Sequence, residues 1–159
     1  LLFGINCKPS KPWNLSFSAD RFQFKWLRYG VSAPSSGNRV EFNISYKPDR
    51  KNELSVRWRK SVRMEDGASE GKTLLYPERR SESGIRLQLI STVSKSITLR
   101  TRVEQKQIEF QNENQNGFLF YQDVIFKPMA SNISWNFRYA NFDTDGYDSR
   151  IYAYENDVF

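Results

Sequence analysis

The chain has 159 residues, one domain's worth, and contains no His and a single cysteine, Cys7. No Ser-His-Asp or Cys-His nucleophile, His-based zinc or iron site, internal disulfide or cysteine metal cluster can be assembled from such a set. Twenty-four basic residues, 14 of them Arg, against eighteen acidic ones give a net charge of +6, which suits a polyanion such as nucleic acid or lipopolysaccharide without choosing one. Twelve Phe, eight Tyr and four Trp sit in a chain whose mean hydropathy is −0.69, so it is too polar to fill a wide core and too aromatic to be disordered.

Leu1 to Pro9 have no initiating Met, no charged stretch followed by an apolar one and no small-residue cleavage site, and read as the inside of a longer protein. No window approaches the 18 apolar residues of a membrane helix, so any meeting with a bilayer would use strands. Alternation of period two follows along the chain, weakly over Leu15 to Trp26 and clearly from Val40 to Tyr46. From Glu53 to Met64, Leu54, Val56, Trp58, Val62 and Met64 oppose Ser55, Arg57, Arg59, Ser61 and Arg63, with Lys60 breaking the apolar row. Ile85 to Ser91 is weaker. Ile97, Leu99 and Val103 then oppose Thr98, Arg100, Arg102 and Glu104; Phe118 to Phe126 is weak, Asn132 to Tyr139 strict, and Arg150 to Val158 weak. No segment keeps a helical apolar stripe for three turns. The expected fold is all-β, about eight strands in one domain over residues 1–159.

Aromatic-Lys-Pro, a few polar residues, then apolar-Ser-apolar-x-aromatic-Arg occurs at Tyr46 to Arg59 and again at Phe126 to Arg138. The anchors Leu15, Leu54, Ile97 and Ile133 mark a hairpin unit of about forty residues. Longer polar connections are expected at Ala33 to Asn38, Glu65 to Ser83, Gln111 to Gly117 and Asp143 to Ser149, so the strands form an antiparallel up-and-down meander.

The two faces then decide between a soluble sheet and an outer-membrane-type β-barrel. Tyr46, Trp58, Phe126, Trp135 and Tyr139 lie on the oily face, several near strand ends, where aromatic girdles meet lipid and water. Arg57, Arg59, Arg63, Arg86, Arg100, Arg102 and Arg138 share the other face, which would line a basic lumen. The expected strands of about nine to twelve residues suit a tilted crossing. An eight-stranded interior is just filled by side chains. Pairing of these Arg with Glu41, Glu104 and Asp123 in a plugged barrel is therefore preferred over an open anion path.

Gly117-Phe-Leu-Phe-Tyr-Gln-Asp-Val-Ile-Phe-Lys-Pro128, followed by Phe137 to Val158 with its run Arg150-Ile-Tyr-Ala-Tyr-Glu-Asn-Asp-Val158, resembles the C-terminal region of bacterial helix-hairpin-helix-containing proteins. The likeness is close over residues 84–158 and loose before them. It implies an outer-membrane β-barrel of a Gram-negative bacterium, continuing into further strands of the same chain, and says little of activity. The helix-hairpin-helix segment is absent, so no direct nucleic-acid binding is carried over. The stop at Phe159 reads as a cut, with a terminal barrel-assembly Phe as the alternative.

Other constellations are weaker. Asp143, Asp145 and Asp148 resemble the start of a calcium loop, but Gly146 falls at position 4 and Tyr154 at 12, where an EF-hand wants Gly at 6 and Glu at 12. The sequons at Asn14, Asn43 and Asn132 fall in or at the start of strands and are ascribed to composition. Glu70, Glu78, Glu82, Arg79 and Arg80 are expected in the longest loop, solvated by default with partner contact as the sharper reading, and no carboxylate pair is placed for glycosidase chemistry. The reading is a non-enzymatic outer-membrane barrel segment, structural or transport-related, with no metal or cofactor, meeting membrane lipids or lipopolysaccharide. The alternative is a soluble antiparallel sheet binding a polyanion through its Arg face.

Overall fold

The computed structural model describes residues 1–67, 76–129 and 132–154. Eight strands, β1 (Leu2–Cys7), β2 (Trp13–Phe24), β3 (Ser35–Tyr46), β4 (Asn52–Gly67), β5 (Tyr76–Thr92), β6 (Ile97–Phe110), β7 (Glu113–Phe126) and β8 (Trp135–Thr144), form one sheet in sequence order, every neighbouring pair antiparallel. No helix occurs among the described residues. The all-β up-and-down meander is thus as the alternation dictates. The sheet is open: among the described residues β1 and β8 are its two edges and do not pair.

The eight strands are not quite the expected eight. Leu2 to Cys7 is a strand that the sequence reading missed, because Leu2 and Gly4 blur the alternation of Phe3, Ile5 and Cys7. Conversely, Arg150 to Tyr154 is no strand, and the remainder of the expected Arg150 to Val158 element lies outside the described residues. The strand beginning at Asn132 starts instead at Trp135, so the Asn132 sequon sits before a strand and not in one.

Three of the four expected long connections are largely strand among the described residues. β4 has 16 residues and β5 has 17, absorbing Glu65 to Gly67 and Tyr76 to Ser83; Glu70 lies outside the described residues. Gln111 and Asn112, at φ 54° and 62°, close a two-residue hairpin between the partners Phe110 and Glu113, the left-handed pair of a type I′ turn. Ala33 to Asn38 likewise gives way to β3 from Ser35. The forty-residue repeat fares better. Leu15 and Leu54 are third in β2 and β4, Ile97 is first in β6, and Ile133 lies just before β8, so every anchor stands at the same end of the sheet.

Register fixes the faces, since directly opposed residues share one. One unbroken row runs Trp13, Tyr46, Leu54, Leu89, Thr101, Gln122, Tyr139. Three rows further along the strands another runs Ala19, Val40, Lys60, Ser83, Gln107, Asn116, apolar only in β2 and β3. At the opposite limit, Ile97, Phe126 and Trp135 form a row of their own. The oily band therefore crosses the rows obliquely. Its centre drops by about five residues over the six steps from β2 to β8, which at about 3.3 Å per residue and 4.8 Å per strand is a tilt of about 30°. Beyond the band, the outer rows of β5 to β7 turn polar, with Ser81, Glu109 and Asn114 in one of them, although Val62 and Met64 continue the apolar side of β4.

Burial is opposite to that of an ordinary soluble sheet. Leu54, Trp58, Ile85, Leu87, Leu89, Phe118, Phe126, Trp135, Phe137 and Tyr139 are all exposed on the oily face. Ile108, Leu119, Tyr121, Arg80, Arg102 and Asp123, all buried, lie on the charged face. No second layer covers the oily face among the described residues.

Candidate functional site

All seven Arg singled out from the sequence fall on one face. Arg57 opposes Arg86, Arg59 opposes Glu41, Arg63 opposes Arg80, Arg86 opposes Glu104, Arg100 and Arg138 flank Asp123, and Arg102 opposes Tyr121. Tyr46, Trp58, Phe126, Trp135 and Tyr139 all fall on the other. The period-two pattern carried this assignment, but only the register shows who meets whom.

Two ion-pair centres organise the charged face. In the first, Arg86 grips Glu104 through two bonds, Nε donating to Oε2 at 2.8 Å and Nη2 to Oε1 at 2.9 Å, while Arg102 Nη2 also donates to Oε2. In the second, Arg138 Nε donates to Asp123 Oδ1 at 2.6 Å and Nη2 to Oδ2 at 2.8 Å, with Arg100 3.9 Å away. The Arg138 guanidinium lies 4.4 Å from the Tyr121 ring centre, and Asp123 is wholly buried. Bidentate pairs of this kind fix geometry as well as charge. Glu104 and Asp123 are thus partners as anticipated. Glu41 is not: it accepts from Asn43 Nδ2 at 2.9 Å, and Arg59 reaches Glu82 at 3.5 Å instead.

The residues expected in a solvated loop take part as well. Arg80, 7 % exposed, donates through Nη1 to Glu65 and Asp148 at 3.1 Å each, and Arg63 pairs with Glu65 at 3.1 Å. Sequence reasoning missed Arg80 because both faces are polar there and no hydrophobic alternation marks the strand.

The segment after β8 folds back over the charged face as a strap. Asp145 pairs with Asn116 in both directions, its N–H donating to the Asn116 carbonyl and its carboxylate accepting from the Asn116 N–H. Lys106 Nζ donates to the Asp148 carbonyl at 2.7 Å, and Arg138 Nη1 to the Tyr154 carbonyl at 2.8 Å. Ser149 is wholly buried, and the strap passes so near β7 that a Cβ on Gly117 would overlap the Ser149 carbonyl. The acidic run of the imagined calcium loop is therefore dispersed, with Asp145 turned to a backbone amide and Asp148 to Arg80. No cluster of three metal-ligating side chains occurs among the described residues.

Between strap and sheet lies a gap of about 380 Å³ walled by Arg59, Arg86, Lys106 and Glu104 of the sheet and by Tyr147, Asp148, Tyr152 and Tyr154 of the strap. Compared with protein-family models, with curated proteins and with solved structures, the chain matches none.

Proposed function

We propose that this chain is a segment of a non-enzymatic outer-membrane β-barrel with a structural or transport-related role, its Arg-rich face turned to the lumen and its aromatic face to lipid. One observation carries the reading: the apolar side chains form an exposed oblique band, while the opposite face holds the buried charged groups Arg80, Arg102 and Asp123 in ion pairs. A tilt of about 30° is near the 35–45° of membrane barrels, and an outward apolar band flanked by aromatics is what lipid requires. The polar rows beyond the band would stand clear of the bilayer. The resemblance of residues 84–158 to the barrel region of helix-hairpin-helix-containing proteins points the same way.

Hydrocarbon tolerates no unpaired strand edge. β1 and β8 would accordingly pair with each other or with further strands of a longer chain. An eight-stranded barrel has an interior just filled by side chains, so a strap on the lumenal side argues for more than eight strands. Membrane lipids or lipopolysaccharide are then the partners of the oily face. A soluble sheet binding a polyanion is favoured by one observation, the surplus of positive charge around Arg57, but it leaves the apolar band without a partner.

The test is to fold the chain with and without micelles. Heat-modifiable gel migration that develops only in detergent is the expected result; monomeric, soluble β-structure in buffer alone would sink the membrane reading.

A further inference from the structure

Gly84 lies on the charged face between Arg59 of β4 and Lys106 of β6, its partners in register, and has no side chain to fill the space between them. The notch is walled by Arg57, Arg59, Arg86 and Lys106, with Glu82 and Glu104. Both carboxylates are already shared, Glu82 by Arg59 and Lys106 at 3.5 Å each and Glu104 by Arg86 and Arg102. Arg57 makes no hydrogen bond or ion pair among the described residues, although it is half-buried and directly opposite Arg86. Four cations against two carboxylates leave a surplus of two positive charges. Adding the neighbouring Arg102 and Glu41 leaves it unchanged.

Like charges set opposite each other across a strand pair repel, and the Arg57 guanidinium has no hydrogen-bond acceptor on the protein among the described residues. A doubly charged oxyanion would correct both at once, because planar guanidinium forks match the oxygens of a phosphate. The roof has the matching chemistry. Tyr147, Tyr152 and Tyr154 border the gap of about 380 Å³ above Arg59, Arg86 and Lys106, within the roughly 300–1,000 Å³ of small-molecule sites. Arg150 and Asp148 of the strap also line it and cancel in charge, so the surplus of two stands.

We infer that the notch over Gly84 is a phosphate-binding site, with Arg57 as its uncommitted anchor, Arg59, Arg86 and Lys106 completing the cradle, and the tyrosine-rich strap covering the rest of a phosphate-bearing ligand. The inference rests on the charged face alone and not on what the oily face meets. A soluble fold that binds phosphate would overturn the membrane reading and keep the site; a micelle-dependent fold that does not bind would do the reverse.

The experiment is calorimetric titration of the folded chain with inorganic phosphate, against chloride at matched ionic strength. Saturable phosphate binding is expected, weakened about tenfold or more by Arg57→Gln, the loss of one charge-assisted contact. Since Arg57 supports no ion pair and stands opposite Arg86, that variant should melt no lower than the wild type. Lys60→Gln, on the opposite face, should bind phosphate as the parent does. Doping the micelles with an anionic phospholipid separates a headgroup from a free solute, since only a headgroup ligand would compete with phosphate. Absence of saturable binding by the parent chain, or undiminished affinity in Arg57→Gln, would overturn the proposal.

Discussion

The two faces of this sheet are made by the same strands and obey opposite rules. On the oily face, large side chains such as Leu87 and Trp58 are 44 % and 40 % exposed, and neighbouring positions could change places with little effect on one another. On the charged face, Asp123 is wholly buried and each contact is specific to its partner: Arg138 to Asp123, Arg86 to Glu104, Arg80 to Asp148. A soluble protein puts its interchangeable side chains inside and its specific polar ones outside. Here the specific contacts are on the covered charged face and the hydrophobic side chains are on the exposed one, the reversal that the proposed apolar solvent would account for.

The largest effect should come from the charged face. Asp123→Ala removes the wholly buried carboxylate that grips Arg138 through two bonds beside Tyr121, and a loss of about 3–5 kcal/mol is expected, as for one member of a buried pair. Chemical unfolding of parent and variant measures it, and a change below about 1 kcal/mol would mean that the centre is open to water.

Leu87→Arg sharpens the comparison from the other side. Leu87 stands near the middle of the oily band, opposed by Val56 and Val103. At the midplane of a bilayer an arginine costs about 2–4 kcal/mol. At an exposed site in water the same change is worth within about 0.5 kcal/mol either way. Folding titrations into bilayers should therefore show a loss several times larger than a surface substitution produces in water.

The smallest effect belongs to neither face. In the β3–β4 turn, the Asn52 side chain and the Lys51 backbone N–H, with that of Asn52, donate to the Asp49 carboxylate and hold its pKa below the ordinary aspartate value. A depressed folded pKa stabilises above the unfolded value, near 3.9, and the benefit is lost as pH falls through the folded one. The parent should thus lose a small increment of stability below about pH 4 that Asp49→Ala lacks, while the two curves run parallel from pH 5 to 8. Unfolding midpoints across that range are the check.

These contrasts also explain what was legible in the sequence. Wherever the faces differ in polarity, as in β3, β4 and β6, period two exposed both the strand and the side chains sharing its face. Where both faces are polar, as around Arg79, Arg80 and Gln115, alternation carries no signal, and long strands passed for loops. The pairing of Arg86 with Glu104 depends on register across a turn that hydropathy does not encode. The strap was misread as a strand because Tyr152 and Tyr154 alternate like one, although β8 closes the ladder before them and their backbone runs over side chains of the sheet.

The claim that the oily face meets lipid is tested most directly by its tryptophans. Trp13, Trp58 and Trp135 lie on that face, whereas Trp26 lies in the β2–β3 connection, 85 % exposed. Single-tryptophan variants folded into vesicles of brominated lipid should show strong quenching at Trp13, Trp58 and Trp135 and little at Trp26. Quenching at the three facial positions no stronger than at Trp26 would contradict the account.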